Sequence, residues 1–423
     1  MHSVCILAGK SIQFRRAVLG LNSSTGTHFL QIPGPSPVPE RILRAIDRQV
    51  IDHRGPEFQH LGIEVLEGCR TVFGTSHPVI IYPSSGTGGW EAAIANTLSP
   101  GDRVLMVETG QFAALWRNLA TRWGIDVQFL PGDWRHGVNA ADIEVRLAED
   151  KGHTIKAVMV IHNETSTGAL SDIQAVRRAI DQAGHPALLM VDAISSLGSA
   201  PVCHDAWCAD VTVSCSQKGL MLPPGISLMA VSEKALAASR SNKLPRSYWD
   251  WSEMLASNAK GFFPYTPSTN LLYGLRESLR MLQEEGLENV FARHRRLAKA
   301  CRAAVTAWGL EVLCVDRASY SPVLTAILLP PGRDADAFRA AALQSFDISL
   351  GAGLGKVAGK VFRIGHLGAC NDLTLMAALC GVEMTLQAQE IPFEKSGVLA
   401  AMQSLSGFDG SAQATEPTAA IAL

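Results

Sequence analysis

Along this chain, short apolar runs alternate with stretches whose apolar residues recur every three to four positions. Val79 to Tyr82 is brief and rich in β-branched residues, and from Gly88 the pattern turns helical through Trp90, Ala93, Ile94 and Leu98. Ser99-Pro100-Gly101-Asp102 marks a turn. It precedes a strand at Arg103 to Val107, a helix at Gln111 to Trp123 and a strand at Asp126 to Leu130. Ile155 to Ile161 and Ala187 to Val191 are almost wholly apolar, with a helix at Ile173 to Ala183 between them; Val211 to Ser214 and Ile226 to Ala230 continue the series. Strands that are apolar on both faces and separated by helices belong in a mostly parallel sheet covered on both sides. The pattern predicts an α/β protein with one large domain over residues 51–290.

The pattern changes near Glu284-Glu285-Gly286, where a long helix (Leu287 to Trp308) begins. Strands at Glu311 to Val315, Val323 to Leu329 and Val361 to Ile364, with a helix at Ala335 to Gln344, predict a smaller α+β unit over 291–405. No internal repeat is present. Residues 406–423, rich in Ala, Thr, Ser and Gly, read as a flexible tail, and residues 1–27 as a flexible arm.

Composition narrows the partners. A formal net charge of −2 gives no reason to expect nucleic acid or an anionic membrane surface. No uninterrupted apolar stretch approaches the length of a membrane span. Nine cysteines without a C-x-x-C pair suit a reducing compartment, and the expected location is the cytoplasm. Residues 1–27 carry Lys10, Arg15 and Arg16 but no acid, a start that resembles a transit peptide and leaves organellar import open. Cys203, His204 and Cys208 have no second ligand pair at zinc spacing, so no metal is expected there. Arg293-His294-Arg295-Arg296 reads as the solvated face of a helix.

Three features carry chemistry. Pro83-Ser84-Ser85-Gly86-Thr87-Gly88-Gly89 joins a strand to a helix, where glycines let backbone N–H groups approach an anion. A plain tight turn fits that segment equally well. Asp192 ends an apolar strand, where open α/β sheets place their ligands, though an acid there also caps turns. Lys218 follows another strand and is flanked by the small residues Ser216 and Gly219; a desolvated lysine becomes a usable amine nucleophile. A surface lysine is the alternative. In this order, the three supply what a pyridine phosphate aldehyde needs: an anion seat, an acid under the ring nitrogen and an amine at the aldehyde.

These motifs resemble the class V aminotransferases of pyridoxal-phosphate fold type I, in particular their serine–glyoxylate and alanine–glyoxylate group. The resemblance runs from about Phe29 to Gln389. It is carried by Pro33-Gly34-Pro35, Ser85-Gly86-Thr87-Gly88, His162-Asn163-Glu164-Thr165-Ser166-Thr167-Gly168 and Val191-Asp192. Ser216-Gln217-Lys218-Gly219, Pro223-Pro224-Gly225 and Phe362-Arg363-Ile364-Gly365 complete it. It implies a large domain built on a mostly parallel seven-stranded sheet, a smaller C-terminal domain, and a segment 28–50 that packs on the small domain and on a dimer partner.

It further implies pyridoxal 5′-phosphate held as a Schiff base on Lys218, with Asp192 at the pyridinium nitrogen. Ser85, Gly86 and Thr87 would hold the phosphate, Phe112 would stack on the ring, and Ser166 would contact its 3-hydroxyl side. Gln217 would serve the phosphate or the lysine's surroundings. Tyr265 and Thr266 would reach the phosphate of a neighbouring subunit, making the enzyme a homodimer or a dimer of dimers. Arg363 would grip the substrate α-carboxylate, with Gly34 and Ser166 beside it. The guanidinium supports this independently, because it offers two parallel donors to a carboxylate; a salt bridge to a local acid is its structural alternative.

Two other features are read as structural. Gly351-Ala352-Gly353-Leu354-Gly355 lacks dinucleotide-loop spacing and reads as a close backbone turn near Arg363. His162 reads as a core histidine that orients its loop. The expected reaction is ping-pong transamination from L-serine, and also L-alanine, to glyoxylate. Residues 244–251 and 265–270 carry the likeness to serine–glyoxylate enzymes. L-Aspartate is the alternative donor. A cysteine desulfurase would need a mobile thiol such as Cys370, and a non-catalytic cofactor-binding protein is a third reading.

Overall fold

A computed structural model describes residues 26–406. The readings of the N-terminal arm before residue 26 and of the tail after residue 406 lie outside the described residues. The chain enters through a short strand, β1 (Phe29–Gln31), and two helices, α1 (Glu40–Ile46) and α2 (Pro56–Phe73). Strand and helix then alternate through β2 (Val79–Tyr82), α3 (Gly86–Thr97), β3 (Arg103–Val107), α4 (Gln111–Arg122), β4 (Asp126–Leu130) and β5 (Ile155–Ile161). A small hairpin of β6 (Asn163–Glu164) and β7 (Ala169–Leu170) leads on to β8 (Leu188–Asp192), β9 (Val211–Cys215) and β10 (Ser227–Val231).

Seven of these strands form one sheet in the order β2-β10-β9-β8-β5-β3-β4. Only β10 runs against its neighbours. Every residue of β2, β8, β9 and β10 is buried, which is why β2, β8 and β10 are largely apolar without alternation, while β9 buries Thr212 and Ser214 among its valines. Because the other strands are parallel, the carboxyl ends of β2, β3, β5, β8 and β9 share one edge, and the segments following them converge there.

The second sheet has the order β1-β13-β14-β12-β11, where β11 is Glu311–Val312, β12 Leu324–Leu328, β13 Ile348–Ala352 and β14 Val361–Gly365. β1 pairs in parallel with β13, so the start of the described chain is woven into this smaller unit. The helix Leu287–Ala307 joins the two units. Its Val290 and Phe291 lie in the core of the large sheet, and its Leu297, Ala300, Ala304 and Val305 in that of the small one. No described helix is long and apolar enough to cross a membrane.

Three expectations change. The strand expected at Glu311 to Val315 is regular only at Glu311 and Val312; Leu313 still donates to the Ala326 carbonyl of β12 at 2.9 Å, and Val315 then turns away and donates its N–H to the Arg135 carbonyl of the large unit, 3.1 Å distant. The glycine-rich stretch is not wholly a turn, since Gly351 lies within β13 opposite Arg363. A Cβ at Gly351 would stand 3.0 Å from that of Arg363, and only Gly353 and Gly355 belong to the turn beyond. The basic run is no solvated face throughout. His294 is buried and accepts from Gly368 N at 3.1 Å, while Arg293 pairs with Glu285 and donates to the carbonyls of Gly368 and Cys370. The loop after β14 packs on this helix, and its backbone groups need partners there. Only Arg295 and Arg296 face solvent, and Arg296 pairs with Asp372.

Candidate active site

At the shared carboxyl edge, the turn after β9 delivers Lys218. Its Nζ is withdrawn from solvent and donates to the Pro33 carbonyl at 2.7 Å. Ser36 fastens the same turn, with its Oγ donating to Lys218 O and its N–H to Gln217 O. Gly34 lies directly against the lysine. A Cβ there would approach Lys218 Nζ to 2.4 Å, and its φ of +107° is a conformation other residues avoid. Burial holds the Lys218 pKa below its ordinary value; the Arg363 charge adds to this, while Cys215 and Asp192 oppose it.

Asp192, at the end of β8, is 4% exposed. Its Oδ1 accepts from Ile194 N at 2.7 Å and its Oδ2 from Trp90 Nε1 at 3.0 Å. Burial pushes its pKa up to about 7, opposed by the Ile194 hydrogen bond and reinforced by the charge of Glu164. Such a carboxylate stabilises a cation placed against it. Trp90, stacked on Trp116 at 5.6 Å, went unremarked in the sequence beyond its helical spacing. It starts the second turn of α3, so the helix that begins at the glycine turn also braces the acid.

That turn sits between β2 and α3. Ser85 is the residue before the helix, and neither its hydroxyl nor that of Thr87 has a hydrogen-bond partner among the described residues. Gly86 and Gly88 are close-packed: a Cβ would stand 2.5 Å from Ile194 Cδ1 or 1.9 Å from Ser84 Oγ, respectively. The arrangement presents free N–H and O–H donors at a helix N-terminus, which favours an anion. Nearby, the buried Gln217 Oε1 has no partner.

Phe112 and Ser166 are drawn together by a group the sequence analysis did not single out, the Glu164 carboxylate. It accepts from Phe112 N, Ala113 N and Ser166 N, each within 3.1 Å, and from Ser166 Oγ at 2.6 Å. The Ser166 hydroxyl in turn accepts from Gln111 N at 2.8 Å. His162 is a core residue here, its Nδ1 2.9 Å from Ser196 Oγ and its ring edge-on to Trp207.

Arg363 reaches this edge from β14. Its Nε donates to Ala352 O and its Nη1 to Thr165 O, both at 2.7 Å. No described carboxylate forms an ion pair with it, and burial lowers its pKa to about 10. A buried guanidinium without a counter-ion is ready for an anionic ligand. Tyr265 lies in the segment that follows Phe263. Its half-buried ring stacks on Tyr248, itself exposed, at 4.4 Å, and its hydroxyl oxygen is buried. Thr266 is exposed, with its Oγ1 3.4 Å from His53 Nε2.

The group that fits is pyridoxal 5′-phosphate. The unpartnered donors of the α3 turn suit its phosphate, the raised Asp192 carboxyl suits a pyridinium, and the withdrawn Lys218 amine suits its aldehyde. The model of the family described as aminotransferase class-V matches residues 28–353. A protein of Methylorubrum extorquens named serine–glyoxylate aminotransferase is 49% identical over 367 residues, which is 85% of this chain and 91% of its own. An L-aspartate–glyoxylate aminotransferase of Paracoccus denitrificans is 46% identical over 381 residues, covering 90% and 96%. The crystal structure of the ureidoglycine–glyoxylate aminotransferase of Bacillus subtilis superposes with a TM-score of 0.83 at 29% identity, covering 91% of this chain and 100% of that one. A crevice built for this cofactor, in a chain matched over most of its length by that family, has one reading: the protein belongs to the class-V aminotransferases.

Proposed function

We propose that the protein transfers the amino group of L-serine to glyoxylate, giving hydroxypyruvate and glycine in two half-reactions, with L-alanine as a second donor giving pyruvate. The observation that carries the chemistry is the Lys218 amine, withdrawn from solvent, bonded to a carbonyl and under the charges of both Asp192 and Arg363. The bound cofactor supplies an aldehyde for the amino group and a ring that accepts electron density from the substrate Cα. Arg363 binds the α-carboxylate through its free edge and fixes the orientation of Cα. Lys218 Nζ takes the proton from that carbon and returns it to the acceptor carbon. This task needs a neutral amine, which the lowered pKa favours. Asp192 keeps a proton on the ring nitrogen. Ser85, Gly86, Thr87 and Gln217 hold the phosphate, Phe112 covers the ring, and Gly34 and Ser166 border the substrate.

Serine is favoured by the 49% identity to an enzyme named for it and by the local likeness of residues 244–251 and 265–270. Aspartate is the second reading, favoured by the 46% identical relative. A panel of amino donors with glyoxylate as acceptor decides between them; turnover with aspartate well above that with serine overturns the first. Lys218→Ala should lower turnover at least ~10³-fold and remove the absorbance band of the Lys218-linked cofactor together. The desulfurase reading loses its nucleophile, since Cys370 is buried beside Thr374 in the small-unit core and burial raises its thiol pKa.

We read the active unit as a homodimer. Ser85 and Thr87 are exposed, so a second copy covering this face would close the phosphate seat. Thr266 is the residue we assign to a neighbour's phosphate. A cytoplasmic location suits the eight free cysteines among the described residues.

A further inference from the structure

Glu164 is fully buried, yet the proposed mechanism gives it no task. Its carboxylate only accepts. Three backbone N–H groups and one hydroxyl point at it: Phe112, Ala113 and Ser166 through nitrogen, and Ser166 through oxygen. Burial raises its pKa, and these four donors work against that rise by favouring the ionised form. Two of the N–H groups open α4, a twelve-residue helix, so the positive end of its dipole rests on this carboxylate. The fit is close on every side. A Cβ at Gly110 would stand 2.5 Å from Glu164 Cγ and 2.4 Å from Ser166 Oγ, so only glycine lets α4 start there.

The residue after Glu164 gives its carbonyl to Arg363 Nη1 at 2.7 Å. The tripeptide Glu164-Thr165-Ser166 therefore ties three things together: the helix start that carries Phe112, the Ser166 hydroxyl and the guanidinium on β14. The charged and titratable groups that feel this region are Asp192 on β8, Arg363 on β14, and Lys218 with Cys215 at the end of β9. The negative charge of Glu164 raises the pKa of both Asp192 and Arg363. The Cys215 thiol is pushed up to about 12 by burial and stays neutral.

We propose that Glu164 is a positioning residue of the transamination site: its carboxylate fixes Phe112 and Ser166 over the cofactor, aligns the Thr165 carbonyl that orients Arg363, and sets a negative charge close to Asp192 and Arg363. This rests on the site roles given to Lys218, Asp192 and Arg363. Its shape excludes close substitutes. Glutamine keeps the volume but turns a donor towards N–H groups that need an acceptor. Aspartate keeps the charge but is too short to span from β6 to α4.

The test uses the holoenzyme. Glu164→Gln should lower kcat about tenfold or more and weaken the cofactor, read as Kd by fluorescence titration of the apoprotein with pyridoxal 5′-phosphate. It should also move the pH midpoint of the cofactor's visible absorbance, and the acid limb of kcat/KM, down by about one unit each, because both protons lose a nearby anion. A variant that is merely less stable, with both midpoints unmoved, overturns the proposal. Glu164→Asp provides the second arm should glutamine prevent folding. It should keep the wild-type absorbance midpoint while weakening the cofactor and lowering kcat, and wild-type Kd and kcat in this variant overturn the positioning role. Lys218→Ala run alongside separates the two readings: if it still turns over, the site assignment fails, whereas its inactivity beside an unaffected Glu164→Gln sinks the Glu164 proposal alone.

Discussion

Burial confronts Asp192 with two costs, an uncompensated charge or a retained proton, and its pKa of about 7 lies where the two balance. In the unfolded chain the same carboxyl titrates near ~3.9. Between those values the folded apoprotein holds a proton that the unfolded chain has released. Its stability through this group is therefore greatest in acid and declines as pH rises through about 7, by about 4 kcal/mol in all. An asparagine in its place cannot titrate, and its single acceptor oxygen leaves either Ile194 N or Trp90 Nε1 unserved at every pH. Denaturant unfolding of apoprotein should thus show Asp192→Asn gaining on wild type from pH 4 to pH 8, by up to ~4 kcal/mol, on top of a constant loss. A difference that stays flat across that range would show Asp192 to be ordinary in acidity. The pyridinium reverses the balance, since a cation on the carboxylate makes its ionised form the stable one.

At the scale of elements, the strands were the readable part of this chain, and the reason is burial. β2, β5 and β8 are mostly apolar because helices cover both faces, so their runs stand out with nothing but hydrophobicity to guide the eye. Helix α2 and strand β13 carried weaker signals. Both contain glycines that lower local propensity but are demanded by neighbours that only the fold reveals: Gly351 admits Arg363, and Gly62 admits the carbonyl of Gly261. A Cβ at Gly62 would lie 2.1 Å from that oxygen, and no flexible side chain is present to yield. Gly62→Ala should therefore destabilise the protein by about 1–3 kcal/mol in spite of alanine's better helix propensity. The check is an unfolding midpoint measured beside kcat, with the midpoint falling and kcat of the folded enzyme holding. A more stable Gly62→Ala would mean that propensity outweighs the contact. The site divides in the same way. Lys218, Asp192 and Arg363 stand out in the sequence because they are polar residues among apolar or small ones, whereas the contacts of Trp90 and the Pro33 carbonyl arise from geometry that leaves no mark in composition.

At the scale of the whole molecule, the two sheets meet where the chemistry is placed: Lys218 comes from one unit, Arg363 from the other, and Pro33 from the segment leading out of β1. A dimer would add a fourth source, and the proposal that Thr266 serves a neighbour's phosphate makes a quantitative claim. Lys218→Ala chains lack the amine of their own site. Thr266→Glu chains would set a carboxylate against the partner's phosphate and expel the cofactor there by repulsion. In a hybrid dimer the two defects fall in the same site if Thr266 acts across the interface, because the site with the missing amine is also the one facing the introduced carboxylate. The other site then has an intact lysine and an intact Thr266. Random mixing makes about half of the dimers hybrid, each with one working site of two, so unfolding and refolding equal amounts of the two inactive variants together should restore about a quarter of wild-type activity. If Thr266 instead serves its own chain, each site of the hybrid carries one defect and the mixture stays inactive. Turnover of the mixture measured against the two variants refolded separately reads the answer directly. Recovery near a quarter assigns the exposed phosphate turn to a shared crevice, and no recovery returns it to the single chain.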